Sequence, residues 1–225
     1  MSKHLQREME NLKTNLLGLC ASVEKSVALA TRAIEERDES LARQVIDGDV
    51  SIDRSEVTIE EDCLKILALH QPVAIDLRVL VSVMKIDNDL ERIGDLAVNI
   101  AERAIHLCRH SVPVERFNFS QMAERVMSML RRSVDALVQM DVEMARAVCD
   151  ADSEVDEMNR DAYTKVESMV ITEGQQLAAL THVLSVSRHL ERIADHATNI
   201  AEDVMYMISG EIVRHQAEDG QTRTA

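Results

Sequence analysis

The chain has 225 residues, and its 46% hydrophobic and 29% charged content is that of a globular protein with a sizeable core rather than a disordered chain. Its formal net charge of −15 argues against nucleic acid as the main partner, because phosphate backbones are bound by clustered Lys and Arg. Only six Gly and two Pro are present, and these are the residues that punctuate strands and loops. The composition therefore predicts an all-α protein built from long helices.

Three long helices are predicted in the first half of the chain. The first covers about residues 4–36, where apolar residues recur at alternating steps of three and four. The second covers about residues 40–69 and ends before Pro72, because the residue before a proline is pushed out of the helical conformation. The third starts near Ala74 and continues to Cys108 with the same alternation, which is typical of helices packed at a shallow angle.

Three more helices are predicted after a linker at residues 111–118, which contains the second proline. The fourth starts at Ser120, and the fifth and sixth cover about residues 141–173 and 175–209. Gly174 and Gly210 are the expected C-terminal caps of the last two helices, since glycine readily adopts the left-handed conformation that ends many helices. The polar residues 213–225 are predicted to form a disordered tail.

A thirteen-residue segment occurs twice, one hundred positions apart. Residues 90–102 read LERIGDLAVNIAE and residues 190–202 read LERIADHATNIAE, with ten of thirteen positions identical. A match of this length within one chain indicates an internal repeat. The sequence therefore predicts two tandem three-helix bundles, the first at residues 1–110 and the second at residues 119–212.

Acidic side chains four residues apart mark both copies of the repeated segment, which places them on one face of a helix. They are Asp87, Glu91 and Asp95 in the first copy and Glu191 and Asp195 in the second. Like charges so placed weaken a helix by about 0.2–0.5 kcal/mol per pair unless a cation lies among them. The track of the third helix is expected on a solvent-facing surface or at the edge of a neighbouring helix, not in the core.

The second and fifth helices carry acidic pairs of their own, Asp49/Asp53 and Asp152/Asp156, which correspond at an offset of 103. Neighbouring helices of a bundle could bring these pairs against the tracks described above. Several converging carboxylates would repel strongly unless they were protonated or bridged by a cation. Oxygen-only ligands favour Mg, Ca, Mn or iron, and His189 and His196 flank the second track and could join a site.

A plain solvated acidic face is the alternative to a metal site. Glu91 has no Lys or Arg three or four residues away, which favours the metal site. Arg92, however, is predicted to reach Asp89 and Asp95, and Arg188 stands three residues before Glu191, so part of the charge could be paired within the helix. The residue pattern by itself leaves both alternatives open.

The chain has no motif typical of an enzyme. It contains no glycine-rich phosphate loop, no G-x-S-x-G, no H-E-x-x-H and no Glu-x-x-His pair of the di-iron type, and aromatic residues make up only 2%. Its four cysteines are isolated in sequence, which predicts buried or half-buried thiols rather than a zinc site. No apolar run reaches the length of a membrane span, and the charged N-terminus lacks a signal-peptide core. We therefore expect a cytoplasmic protein that is not an enzyme.

Two segments, residues 71–102 and residues 185–211, resemble the PhoU family of bacterial phosphate-signalling regulators, and the resemblance extends from the first helix to Glu211. It implies a tandem pair of three-helix bundles that usually forms a homodimer in the cytoplasm. It also implies a negative regulator of phosphate uptake and of the phosphate-starvation two-component response. Such a regulator connects the ATPase subunit of the phosphate-specific ABC transporter to a sensor histidine kinase, and it meets the membrane only through these partners.

The resemblance also implies metal binding by E/D-x-x-x-D motifs, including iron or zinc clusters in some family members, so Mg, Mn, Fe and Zn are the expected ions. The matching residues are Asp49, Asp53, Glu91, Asp95, Asp152, Asp156, Glu191 and Asp195, with Asn99 and Asn199 on the same face and Asp87 as a further candidate whose repeat equivalent is Ser187. The alternative is a metal-independent helical adaptor whose acidic face binds a basic partner. A metal-storage or metal-chaperone protein is a third, weaker interpretation.

Overall fold

The computed structural model describes residues 3–110, 114–173 and 177–210, except for the side chains of residues 172 and 173. Within these ranges the chain forms six α-helices and one short 3-10 helix, and no strand. The α-helices are α1 (Lys3–Glu35), α2 (Glu39–His70), α3 (Ile75–Cys108), α4 (Phe119–Gln139), α5 (Val142–Glu173) and α6 (Leu177–Ser209). The all-α class predicted from the composition is confirmed.

The helix ends lie within two residues of the predicted ones. The predicted linker contains the 3-10 helix Val114–Phe117, and α4 begins at once after it. Gly210 closes α6 as expected, because its positive φ of 77° turns the chain and its N–H donates to the carbonyl oxygen of Tyr206 at 2.8 Å. The predicted cap at Gly174 and the predicted tail at residues 213–225 lie outside the described residues.

Four of the helices form one layer in the spatial order α2, α3, α6, α5, and the other two cover it from one side. α1 packs on α2 and α3, α4 packs on α5 and α6, and α1 also contacts α4. Each repeat is therefore a three-helix bundle, and the two bundles meet along the α3–α6 pair. No described helix covers the layer on the side opposite α1 and α4, which we call the open face.

The duplicated segment forms the centre of the core. Leu90, Ile93 and Ile100 are fully buried in α3, and so are their equivalents Leu190, Ile193 and Ile200 in α6. Burying one such side chain contributes about 1.5–3 kcal/mol, so this repeated stripe is the main attraction between the helices. The buried residues of both repeats form one continuous hydrophobic cluster.

The same capping residue starts the second helix of each repeat. The Asp38 carboxylate accepts hydrogen bonds from the backbone N–H groups of Ser40 and Leu41, at 2.7 and 3.3 Å. Asp141, 103 positions later, accepts from the N–H of Met144 at 3.0 Å. Each carboxylate satisfies N–H groups that have no partner inside the helix, and its charge is favourable at a helix N-terminus.

Removing the first of these caps should measurably destabilise the protein. We expect Asp38→Ala to lower the free energy of unfolding by about 1 kcal/mol, because the N–H groups of Ser40 and Leu41 lose their acceptor. Asp38→Asn is the matched control, since the Asn side-chain oxygen still accepts and its loss should be smaller. Urea denaturation measures both, and an Asp38→Ala protein as stable as the parent would contradict the capping role.

Candidate functional site

Acidic side chains of α2 and α3 face each other across the seam between the two helices. The pKa of Asp49 on α2 is raised to about 6, first by burial and then by the negative charges of Asp53 and Asp95. Gly94 permits this close approach, because a Cβ placed there would lie 3.2 Å from Ile52 Cγ2 and 3.5 Å from the Oδ1 atom of Asp49. The Asp49 carboxylate therefore lies against the backbone of α3.

Asp87 extends this group into the core, which corrects the expectation that no part of the track lies there. Its exposed fraction is only 2%, and its Oδ1 atom has no hydrogen-bond partner. Each four-residue step along an α-helix turns by about 40°, so the track drifts around α3 and Asp87 lies closest to the apolar side. Burial, followed by the charges of Glu56, Glu60 and Glu91, raises the pKa of Asp87 to about 8.

Glu56 and Glu60 are site residues that the sequence prediction missed. They continue the acidic pair of α2 at steps of three and four residues, which is the signal that could have identified them. Burial and the charges of Glu60 and Asp53 raise the pKa of Glu56. We define the first acidic cluster as the carboxylates at this seam: Asp49, Asp53, Glu56, Glu60, Asp87, Glu91 and Asp95.

The second repeat brings together a smaller acidic group between α5 and α6. The pKa of Asp152 is raised to about 6 by burial and then by Asp195 and Asp156. The pKa of Glu191 is raised by burial and by the same two neighbours. We define the second acidic cluster as these carboxylates: Asp152, Asp156, Glu191 and Asp195.

The two clusters differ where the repeats have diverged. Ser187 occupies the position equivalent to Asp87, and Asn159 the position equivalent to Glu56. The Ser187 hydroxyl donates to the Asn159 side-chain oxygen at 2.8 Å. A neutral hydrogen bond in the second repeat thus replaces two carboxylates of the first, and the first cluster holds the greater concentration of negative charge.

Arg92 is the cation nearest the first cluster. Its Nε lies 3.4 Å from Glu91 Oε2 and its Nη1 lies 3.3 Å from Asp95 Oδ2. The predicted contact with Asp95 is present, but the one with Asp89 is wrong, because the Asp89 Oδ1 atom lies 2.7 Å from Nδ1 of His196. Arg92 is more than half exposed, so its ion pairs contribute little. The pKa of Glu91 stays raised by burial and Asp95 despite Arg92.

The two asparagines and two histidines predicted beside the tracks have other contacts. Asn99 donates to the backbone oxygen of Asp95 at 2.8 Å, and Asn199 donates to Asp89 Oδ1 at 3.4 Å. Burial and then Asp156 raise the pKa of Asp195, and His196, whose Nδ1 is engaged by Asp89, opposes only part of this rise. His189 is surrounded by arginines rather than by the acidic track.

The donor set suits a hard cation. Every member of both clusters offers carboxylate oxygens, and the buried Asp87 Oδ1 and Glu91 Oε2 atoms lack hydrogen-bond donors. Among the described residues, no three His, Cys, Asp or Glu side chains already converge on one point as metal ligands would. The four cysteines are free thiols, and burial raises the pKa of Cys20 and Cys63 to about 12, so neither offers a thiolate near neutral pH.

Asp87 should make the metal-free protein less stable at alkaline pH. Its pKa of about 8 in the folded protein exceeds the ordinary 3.8, so its stabilising contribution is complete below about pH 4 and is lost as the pH rises through 8. We expect Asp87→Asn to stabilise chelator-treated protein by about 1–3 kcal/mol at pH 9 and to change little at pH 4. Denaturation at the two pH values measures this, with the exposed Asp47→Asn as control, and a less stable Asp87→Asn protein at pH 9 would contradict the assignment.

The fold and the two clusters define a class of protein. It is a helical tandem repeat in which carboxylates of one helix face carboxylates of the neighbouring helix. Among the described helices, none carries an apolar stretch that would reach across a lipid bilayer. The PhoU domain model matches residues 16–104 and 119–204, one match in each repeat. The chain belongs to the PhoU family.

Named relatives and solved structures agree with this assignment. A phosphate-specific transport system accessory protein PhoU homolog of Pseudomonas putida is 37% identical over 216 residues, which cover 96% of this chain and 84% of the relative. The crystal structure of PhoU from Pseudomonas aeruginosa superposes with a TM-score of 0.87 at 35% identity, covering 92% of this chain and 99% of that one. The crystal structure of the phosphate transport system regulatory protein PhoU from Streptococcus pneumoniae superposes with a TM-score of 0.86 at 28% identity. It covers 93% of this chain and 99% of that one.

Proposed function

We propose that this protein is a cytoplasmic negative regulator of phosphate uptake and of the phosphate-starvation two-component response. In this role it couples the ATPase subunit of a phosphate ABC transporter to a sensor histidine kinase and catalyses no reaction itself. Family membership supports the proposal, as do the names of its relatives, which describe an accessory protein and a regulatory protein of phosphate transport. The strongly acidic charge suits contacts with basic protein surfaces.

We further propose that both acidic clusters bind metal ions of the Mg, Mn, Fe or Zn type. The observation that carries this proposal is that burial, together with carboxylates across the helix seams, raises the pKa of Asp49 beside Asp95 and of Asp152 beside Asp195. A group whose charge is opposed by its neighbours is stabilised by a bound cation. The ligands would be Asp49, Asp53, Glu91 and Asp95 in the first repeat and Asp152, Asp156, Glu191 and Asp195 in the second, with Asp87 as a further candidate ligand in the first.

The clusters would act through the open face of the four-helix layer. The α2–α3 seam and the α5–α6 seam both belong to this layer, and α1 and α4 cover its other side. A bound cation would neutralise the repulsion between the two helices of a seam and present an altered charge to a partner protein. We propose that the metal-loaded open face docks on the transporter ATPase or the kinase, and that the protein acts as a homodimer.

Removing two ligands of the first cluster should reduce metal binding and release repression together. We expect Glu91→Ala/Asp95→Ala to weaken Mn²⁺ binding in that repeat by about tenfold or more, since even outer-shell changes cost that much. Isothermal titration and elemental analysis measure the metal, and a phosphate-starvation reporter in phosphate-rich medium measures repression.

The matched control removes two exposed acids of α2, Asp47→Ala/Glu61→Ala, which changes the net charge equally. This control should keep both the metal and the repression. If the cluster variant retained the metal content and full repression of the parent protein, the first cluster would have no part in the function.

A metal-independent adaptor is the second candidate, and two observations favour it. Arg92 already contacts Glu91 and Asp95, and no three potential ligands converge among the described side chains. In this function the acidic open face would bind a basic surface directly. Protein purified without chelator would then carry no stoichiometric metal, and partner binding would weaken with salt but not respond to added Mn²⁺.

A further inference from the structure

The two ends of the seam between α3 and α6 carry side chains of opposite charge at equivalent positions. The helices run antiparallel, so positions one hundred apart lie at opposite ends of the seam. At the first end the Asp203 carboxylate is buried with 1% exposure, and Nζ of Lys85 lies 3.0 Å from its Oδ1. The same ammonium lies 5.4 Å from the centre of the Tyr206 ring. The buried charge at this end is therefore neutralised inside the protein.

At the second end, the repeat-equivalent residues cannot neutralise each other's charge in this way. Arg103 occupies the position equivalent to Asp203, and Ser185 the position equivalent to Lys85. The Ser185 hydroxyl donates to the backbone oxygen of Thr181 at 2.8 Å and carries no charge. A guanidinium thus replaces the carboxylate, while the residue opposite it has changed from a cation to a neutral group rather than to an anion.

Four histidines and two further arginines gather around Arg103. His182 of α6 stacks on His106 of α3, with ring centres 4.6 Å apart and planes 5° from parallel. Burial and then His106, Arg103 and His110 lower the pKa of His182. Burial and then three arginines lower the pKa of His189 to about 4, and these are Arg192, Arg103 and Arg188.

Two buried nitrogen atoms at this end have no hydrogen-bond partner. Arg103 Nε and His189 Nδ1 are buried without a hydrogen-bond partner. The Nη2 atom of Arg103 does reach Oε2 of Glu102 at 3.1 Å, but that carboxylate is half exposed and offsets only part of the charge. Arg188 and Arg192 are exposed and form no ion pair within the described ranges, but their charges partly oppose the rise that burial causes in the pKa values of Glu191 and Asp195. A chain of net charge −15 therefore gathers three arginines at this end of the seam, and neighbouring carboxylates offset only part of their charge.

We propose that Arg103, His182 and His189 form a binding site for a small multivalent oxyanion, such as inorganic phosphate, at the second end of the α3–α6 seam. The anion supplies the negative charge that Asp203 supplies at the first end, and its oxygens accept from the guanidinium and imidazole N–H groups. A metal cation is disfavoured, because the arginines repel it. These residues lie outside both acidic clusters, so the site goes beyond the proposed function and does not depend on it.

The test is a titration of the metal-free, chelator-treated protein with inorganic phosphate, followed through the histidine ring signals in NMR. Removing metals ensures that phosphate is not recruited through the acidic clusters. We expect saturable shifts at His182 and His189, with sulfate as a second probe that reports whether the site accepts tetrahedral dianions in general. Arg103→Ala should weaken phosphate binding about tenfold or more, since a hydrogen bond to a charged group is lost.

The charge-matched control is Arg132→Ala, which removes an exposed arginine from α4 in the other layer and should leave binding unchanged. Arg103→Lys keeps the charge and should recover part of the affinity, and it serves also if Arg103→Ala does not fold. The proposal is overturned if neither phosphate nor sulfate gives saturable shifts in the parent protein. Equal weakening by Arg103→Ala and Arg132→Ala would overturn it as well, because binding would then reflect net charge alone.

Discussion

The structure depends on apolar burial that holds neighbouring helices together despite the repulsion between their carboxylates. The fully buried stripe of Leu90, Ile93 and Ile100 packs α3 into the core, and each such side chain contributes about 1.5–3 kcal/mol. Repulsion between neighbouring carboxylates on a helix costs only about 0.2–0.5 kcal/mol per pair. The free energy gained by burying apolar side chains therefore exceeds the cost of this repulsion. Because Gly94 has no side chain, α2 approaches closely enough for Asp49 to lie against the backbone of α3. Burial and then this repulsion raise the pKa values of carboxylates such as Asp49 and Asp87, and a bound cation would relieve the repulsion.

The two repeats share most of their core residues and differ in the polar residues beside the core. Six positions of the repeated segment are buried in both copies, whereas the buried Leu96 corresponds to the half-buried His196, and Asp87 corresponds to Ser187, which has a neutral partner. Across the α3–α6 seam, Asp203 and Arg103 occupy equivalent positions with opposite charges. The two repeats therefore offer different chemistry on one scaffold: a deeper acidic cluster in the first, and a group of arginines and histidines where the N-terminal half of α6 meets α3.

Much of the fold follows from the sequence, because steps of three and four residues and the scarcity of Gly and Pro specify long amphipathic helices. The acidic spacing likewise predicted which carboxylates share a face. Burial of Asp87 was not predicted, since it depends on the angular drift of the track and on α2 covering it. The contact between Asp89 and His196 joins residues 107 positions apart and follows from the register of α3 against α6, which periodicity does not specify.

We propose that facing helices share a cation through their carboxylates. Anomalous X-ray scattering from crystals soaked in Mn²⁺ can decide this, because it locates the metal independently of the protein atoms. We expect a peak in the α2–α3 seam with oxygen ligands from both helices, including Asp49 and Asp95, and a matching peak in the α5–α6 seam. Seams without a peak at saturating Mn²⁺, with Glu91 and Asp95 still held by Arg92, would contradict it.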